Sequence, residues 1–307
     1  MYLKSFFVSI ITLFTASTVL LAQSSNQPTH ANLKYGSHER NVLDLWIAES
    51  DKPTPLVIYI HGGGFMGGDK KNGHNQKNIN LFMKKGISYA SINYRFLYHT
   101  GNGVLGCMSD SKRAIQFLRF KAKEFNLDKT KFACIGGSAG AGTSLWLAFN
   151  DDMADKENSD PVLRESTRLS AVAVFATQAT YNIARWPELL ELKEKASNNI
   201  GLLGFYGFKS IDDLTSEAGK KYIDRIDFLA KLTKDDPPMY ASNGMRGGPI
   251  NISDKNHLYH HPLHVKALRD KAKEAGIEHQ CYAKALGIKY EGKNSSLVDF
   301  IIEKLTK

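Results

Sequence analysis

The feature that most constrains this chain is residues 132–147, which read FACIGGSAGAGTSLWL with Ser138 at the centre. A short apolar run meets a cluster of small residues, and a pattern rich in alanine and leucine follows, which is typical of a helix. This G-x-S-x-G spacing predicts a strand that turns sharply into a helix and holds a serine hydroxyl at the tip. Glycine is needed at the outer positions because a side chain there would clash as the backbone folds back. Ser138 is therefore a candidate nucleophile.

Strands and helices alternate on both sides of this segment. Residues 56–60 (LVIYI) form a continuous apolar run, as expected for a strand buried on both faces of a parallel sheet. This alternation favours an α/β fold with a parallel sheet and helical crossovers. After an early β-ribbon over 32–46, the predicted strands are 56–60, 87–93, 132–135, 169–176, 239–242 and 277–285. The helices predicted to pack on the sheet are 75–85, 109–125, 262–275 and 295–304.

The pattern changes over residues 181–236, between two predicted strands of the sheet. Residues 186–198 and 212–232 suit helices, and 201–208 (GLLGFYGF) is rich in glycine and aromatic residues. We interpret this insertion as a helical lid over the site. A plain pair of surface helices is the alternative.

The N-terminus has the features of a secretory signal peptide over residues 1–24. Lys4 precedes an uncharged apolar run that ends in small residues near the expected cleavage point. An N-terminal membrane anchor is the alternative interpretation. No other segment approaches the roughly 20 apolar residues that a membrane span needs. We therefore expect residues 25–307 to form one periplasmic or secreted domain, with no stable membrane span after signal removal.

Charge and cysteine content limit the classes of partner and cofactor that the sequence predicts. The formal net charge of +9 is carried by dispersed lysines, without the aromatic-interleaved basic stripe typical of nucleic-acid binding. The three cysteines, Cys107, Cys134 and Cys281, allow at most one disulfide, and none has a metal-ligand spacing. We predict no nucleic-acid partner and no metal or other cofactor. The oligomeric state does not follow from the sequence.

A second glycine-rich turn, HGGGF at 61–65, follows the strand 56–60. Two glycine turns in this order, each after a buried strand and about seventy residues apart, form a specific signal. The chain resembles the α/β-hydrolase esterases related to hormone-sensitive lipase and to bacterial feruloyl and acetyl-xylan esterases, from about residue 32 to the C-terminus. The motifs that carry the resemblance are HGGGF, NYR at 93–95, SDSKRAIQFLR at 109–119, GGSAGAG at 136–142 and DDPP at 235–238.

The resemblance implies an α/β-hydrolase fold, with a mostly parallel sheet, helices on both faces and a helical lid insertion. It also implies a carboxylic-ester hydrolase acting on small-molecule or polysaccharide esters. Ser138 would attack the ester carbonyl, and the backbone amides of Gly63, Gly64 and Ala139 would hold the oxyanion. His61 precedes the glycines, so we expect it to brace that loop rather than act as a base.

The other two triad members do not fall where the family places them. The acid position after strand 239–242 is occupied by Gly247, and no histidine follows His279. A serine without a base is a weak nucleophile at neutral pH. We therefore predict a non-standard base from the histidines that follow the seventh strand, and assign it to His261 with Asp254 as the orienting carboxylate.

Several alternatives stay open. His257 or His260 could replace His261 as the base, and Lys289 could serve if burial lowered its pKa. The histidines could instead belong to a polar loop, with His261 capping the helix that begins at Pro262. A catalytically degenerate relative that binds an acyl or carbohydrate ligand is the second functional hypothesis. A purely structural envelope protein would not explain two costly glycine-rich turns.

Overall fold

The computed structural model describes residues 27–192, 202–290, 292–294 and 296–307. An eight-stranded sheet runs through the molecule in the order β1-β2-β4-β3-β5-β6-β7-β8. The first two strands form an antiparallel ribbon that joins β4, and all later pairings are parallel. The strands are β1 (His30–Lys34), β2 (Val42–Trp46), β3 (Thr54–Ile60), β4 (Ser88–Ile92), β5 (Leu127–Gly137), β6 (Ala171–Phe175), β7 (Met239–Asn243) and β8 (His279–Ala283).

Helices cover both faces of the sheet. Helices α1 and α11 pack on one face, and α2, α3 and α10 pack on the other. The helices are α1 (Gln76–Lys84), α2 (Gly103–Phe120), α3 (Ala139–Phe149), α4 (Trp186–Leu189), α5 (Leu202–Tyr206), α6 (Ile211–Thr215), α7 (Glu217–Ile226), α8 (Phe228–Lys231), α9 (Lys255–Tyr259), α10 (Leu263–Ala275) and α11 (Leu297–Thr306).

The central strand β3 shows why its sequence is continuously apolar. Leu56 and Ile58 point into the larger core beneath α2 and α3, whereas Val57 points into the smaller core beneath α1 and α11. Successive side chains of a strand face opposite sides of the sheet, so both sets must be apolar when both sides are covered. The predicted parallel α/β sheet is confirmed.

The segment that we predicted as a lid insertion differs from its predicted helices. Only Trp186–Leu189 of the predicted helix 186–198 is helical among its described residues; residues 193–201 lie outside the described part of the chain. Helix 212–232 is divided into three short helices. The divisions fall at Ser216 and Asp227, whose side chains accept backbone N–H groups and so begin new helices. The role of the segment as a lid remains a prediction.

The predicted signal peptide, residues 1–24, lies outside the described residues. Within the described residues, no helix has the length and apolar character to cross a membrane. All three cysteines are buried, and Cys107 and Cys134 are free thiols. Burial raises the pKa of the Cys107 and Cys134 thiols to about 12, so both stay protonated and pack as small apolar side chains.

Candidate functional site

The turn between β5 and α3 holds Ser138 in a strained backbone conformation. Its φ of 54° and ψ of −122° lie outside the regions that non-glycine residues ordinarily adopt. A Cβ atom at Gly140 would overlap the carbonyl oxygen of Ile60, and one at Gly136 would lie 2.5 Å from the carbonyl oxygen of Gly140. The sharp turn therefore needs glycine at both outer positions, in agreement with the sequence analysis.

The side chain that contacts Ser138 is His260. Its Nε2 lies 2.8 Å from Ser138 Oγ. The other ring nitrogen, Nδ1, lies 3.0 Å from the backbone oxygen of Asn256 and 2.9 Å from the side-chain oxygen of the same residue. Carbonyl oxygens only accept hydrogen bonds, so Nδ1 carries the proton and Nε2 presents a lone pair to the serine hydroxyl. This tautomer is the one that can remove a proton from Ser138.

The imidazole of His260 is held neutral without a carboxylate partner. Burial lowers its pKa below the ordinary value of 6.5, and the hydrogen bond to the Asn256 backbone opposes this shift. Within the described part of the chain, no carboxylate contacts the ring. An amide thus occupies the position that an aspartate or glutamate holds in a Ser-His-acid triad.

In the structure, the predicted pair of His261 and Asp254 has partners other than Ser138. His261 Nε2 lies 3.1 Å from the carbonyl oxygen of Gly248, and its Nδ1 accepts the N–H of Leu263 at the start of α10. The ring is therefore used by the local backbone, as in the helix-capping alternative.

Asp254 is the N-cap of α9, the short helix that ends just before His260. Its carboxylate accepts the N–H of His257 as the N-cap of α9 and pairs with Arg246 at 3.2 Å. The alternative base Lys289 is exposed, so it lacks the burial that a neutral lysine would need.

His260 lies in the part of the fold where the sequence analysis predicts a base. It follows β7, whereas the family pattern places it after β8, where this chain has a short turn, Lys284–Leu286, without a histidine. The sequence analysis predicts no helix between the strand 239–242 and the helix 262–275. Asp254 is a good N-cap and would have indicated a helix from residue 255, which places residues 256 and 260 on one face.

A cavity of about 640 Å³ opens beside Ser138. The three residues predicted to hold an oxyanion, Gly63, Gly64 and Ala139, line it together with the serine. Ala139 is the first residue of α3, so its N–H has no acceptor within the helix. The rest of the lining is mostly aromatic or aliphatic and includes no charged side chain: Phe65, Met66, Leu97, Tyr98, Gln178, Tyr181, Ile183, Trp186, Gly204, Phe205 and Tyr259.

The glycine turn before the cavity is braced by His61, in agreement with its expected role. Its Nδ1 lies 2.7 Å from the carbonyl oxygen of Gly62, and its ring stacks on Tyr94 with centroids 4.2 Å apart. Burial lowers the pKa of His61 to about 4, so the ring is neutral at pH 7. Asp110 lies behind the site, where Arg95 and Asn41 donate to its carboxylate.

No group of three or more histidine, cysteine or acidic side chains suited to a metal ion occurs among the residues that the structure describes. What the site presents is a hydroxyl, a neutral imidazole and a glycine-rich backbone around one apolar cavity. Such a set of groups is suited to acyl transfer by proton transfer and backbone hydrogen bonding.

Comparison with known proteins identifies the family to which the chain belongs. The BD-FAE family model matches residues 43–260, a range that includes Ser138 and ends at His260. A versiconal hemiacetal acetate esterase of Dothistroma septosporum is 27% identical over 237 residues, which are 73% of this chain and 62% of that protein. Venom carboxylesterase-6 of Apis mellifera is 25% identical over 268 residues, which are 80% of this chain and 44% of that protein. The chain thus spans about half the length of these relatives.

A solved structure shares the fold. A truncated carbohydrate esterase from gut microbiota superposes with a TM-score of 0.68 at 16% identity, covering 92% of this chain and 99% of the other. The sheet order and this likeness confirm the predicted α/β-hydrolase fold. The chain belongs to the BD-FAE family and has the α/β-hydrolase fold.

Proposed function

We propose that this protein is a carboxylic-ester hydrolase in which Ser138 is the nucleophile and His260 is the base. The observation that carries the proposal is the 2.8 Å contact between Ser138 Oγ and His260 Nε2. This distance allows direct proton transfer from the hydroxyl to the imidazole. The strained turn supports the same conclusion, since it holds the hydroxyl at the wall of the cavity.

The reaction proceeds in two halves. Ser138 Oγ bonds to the ester carbonyl carbon while its proton moves to His260 Nε2, and the N–H groups of Gly63, Gly64 and Ala139 stabilise the oxyanion. The carbon–oxygen bond to the alcohol then breaks, and His260 returns the proton to the leaving oxygen. A water molecule attacks the acyl-serine with His260 again as base, which releases the carboxylic acid and restores the serine.

Asn256 orients the base in this mechanism. Its two oxygens hold the proton on Nδ1, so the tautomer is correct without a carboxylate. A neutral amide does not stabilise the imidazolium by charge, however. We expect catalysis to be slower than with a carboxylate at this position. This feature also favours, as the second candidate function, a degenerate relative that binds an ester or carbohydrate ligand with little turnover.

The cavity indicates the kind of ester. Its walls are apolar and aromatic and include no charged side chain, so we propose a substrate whose buried part is uncharged and apolar. The relatives are named for acetate, carboxylic and carbohydrate esters, so a small ester or an acylated carbohydrate fits the proposal. From the predicted signal peptide we further expect a periplasmic or secreted enzyme.

The test is hydrolysis of p-nitrophenyl acetate and butyrate by the wild type and by Ser138→Ala. We expect the variant to lose roughly 10³-fold or more of kcat. Ser144→Ala is the matched control, because Ser144 lies on α3 and only donates to the Gly140 carbonyl. Labelling by a phosphonate ester should modify Ser138 in the wild type. Unchanged turnover in Ser138→Ala would exclude the mechanism, and an inactive wild type that binds the esters would favour the degenerate relative.

A further inference from the structure

Arg40, in the connection between β1 and β2, lies behind the glycine turn that follows β3. Its Nε donates to the carbonyl of Tyr94 at 2.8 Å, and its Nη2 donates to the carbonyl of Gly68 at 3.1 Å. The same Nη2 lies 3.4 Å from Nε2 of His61. The guanidinium also stacks on Phe96, with Cζ 3.7 Å from the ring centroid. One side chain thus connects His61 and Gly68 of this turn with Tyr94, which follows β4.

These contacts select one form of the His61 ring. The Gly62 carbonyl oxygen only accepts hydrogen bonds, so Nδ1 of His61 carries a proton. A guanidinium only donates, so Nε2 must present its lone pair to Arg40. If Nε2 of His61 carried a proton, its N–H would face an N–H of Arg40 with no acceptor between them. Arg40 therefore favours the neutral ring with its proton on Nδ1.

That ring in turn fixes one peptide of the turn. Nδ1 of His61 donates to the Gly62 carbonyl at 2.7 Å, and the Tyr94 hydroxyl lies 3.3 Å from the same oxygen. The peptide between Gly62 and Gly63 is trans, so its N–H points away from its carbonyl. The N–H of Gly63 is therefore directed away from His61, and Gly63 lines the cavity beside Ser138.

We infer that Arg40 is a positioning residue for the oxyanion hole: through His61 it holds the Gly62–Gly63 peptide with its N–H directed to the cavity. The inference rests on the proposed function, because it concerns a donor to the oxyanion. Arg40 itself is not among the residues that line the cavity. Its loss should therefore affect the transition state more than substrate binding.

The first measurement is steady-state hydrolysis of p-nitrophenyl butyrate by Arg40→Ala. Complete loss of one oxyanion donor lowers kcat by about 10²–10³-fold, so we expect a misaligned donor to lower it on the order of 10-fold. KM should change less than about twofold, because ground-state contacts remain. The control is Arg113→Ala, a partly buried arginine that also donates to a backbone carbonyl, that of Tyr35, and pairs with Asp160. It should leave kcat unchanged.

The second measurement does not depend on activity. Nitrogen-15 NMR of the His61 ring in the Ser138→Ala background, assigned by comparison with His61→Gln, reports which ring nitrogen is protonated. With Arg40 present we expect a proton on Nδ1 alone, and in Arg40→Ala we expect a mixture of tautomers. An unchanged His61 signal overturns the inference whatever the kinetics show, and so does a changed signal with unchanged kcat. Full activity of Ser138→Ala would instead reject the proposed function and leave the ring measurement as the test of Arg40.

Discussion

Asn256 and His260 lie one helical turn apart at α9, and Asn256 presents both its backbone and its side-chain oxygen to Nδ1 of His260, at 3.0 and 2.9 Å. The proposed base and the group that orients its ring are therefore neighbours on one short segment after β7. In a Ser-His-acid triad the orienting group is a carboxylate that also stabilises the charged imidazole. Here only the orienting part is present, and this difference can be tested.

Replacement of Asn256 by aspartate should supply the missing charge. A carboxylate at this distance raises the pKa of His260 and stabilises the imidazolium, so we expect kcat to increase by about 10-fold near pH 8. Because burial lowers the wild-type pKa of His260, the acidic limb of the wild-type pH profile should lie below pH 6.5 and should move to higher pH in Asn256→Asp. The measurement is kcat/KM from pH 4 to 9. Identical limbs in the two proteins would contradict the assigned role.

Two adjacent histidines should respond differently to removal. His260→Ala should lower kcat by roughly 10⁴-fold with little change in stability, because the base is lost. His261→Ala should keep kcat within about threefold and should lower the free energy of unfolding by about 1–3 kcal/mol, since the Gly248 carbonyl and the Leu263 N–H lose their partner. Kinetics and urea unfolding of both variants check this. A loss of activity confined to His261→Ala would restore the original assignment.

The turn at Ser138 should not tolerate a methyl group. Gly140→Ala places a Cβ against the backbone of Ile60, which is not the end of a flexible side chain, so the cost should be about 3 kcal/mol or more in the free energy of unfolding. The control is Gly101→Ala, where no atom lies within 4 Å of the added carbon and φ is not positive. Urea denaturation compares the two. Equal stabilities would show that the turn is looser than the structure describes.

Stability should decrease in acid because buried histidines must become charged. Burial lowers the pKa of His264 to about 3 and that of His61 to about 4, below the 6.5 of the unfolded chain. Between about pH 3 and pH 6.5 the unfolded state binds more protons than the folded state, so the free energy of unfolding rises with pH. The contribution is complete above about pH 6.5 and is lost progressively as the pH falls towards 3.

The check is urea unfolding at pH 7, 5.5 and 4.5. In His264→Gln, glutamine replaces the acceptor for the Ala179 N–H and the donor to the Leu258 carbonyl without a titrating group. We expect a smaller dependence of stability on pH in this variant. A pH dependence equal to that of the wild type would show that other groups cause the acid sensitivity.

The sheet and the serine turn could be predicted from the sequence because their signals are local. The run 56–60 is apolar on both faces, and the glycines around Ser138 are required by atoms within a few ångströms of their own turn. Such constraints leave a pattern in a short window of sequence. The parallel sheet with helical crossovers followed from the alternation of strands and helices.

The partner of Ser138 could not be predicted in the same way. His260 is 122 residues away in the chain. Its neighbour His261 has the same ring, but that ring contacts Gly248 and Leu263 instead of Ser138. The start of α9 at Lys255 places His260 one turn after Asn256, and this is the ring that contacts Ser138. A carboxylate is the usual orienting group of a catalytic histidine, but here Asp254 caps α9 and Asn256 contacts the His260 ring. Residue type alone does not separate a helix cap from a group that orients a base.

The geometry of the short helix α9 fixes the spacing and relative direction of Asn256 and His260. Each residue of a helix turns the next side chain by about 100°, so four residues return nearly to the same direction. Insertion or deletion of one residue within this spacing would rotate one group away from the other, whereas the turn after β8 carries no such requirement. We therefore expect length changes within residues 256–260 to abolish activity and length changes after β8 to leave it intact. A protein with its base after β8 would show the opposite pattern.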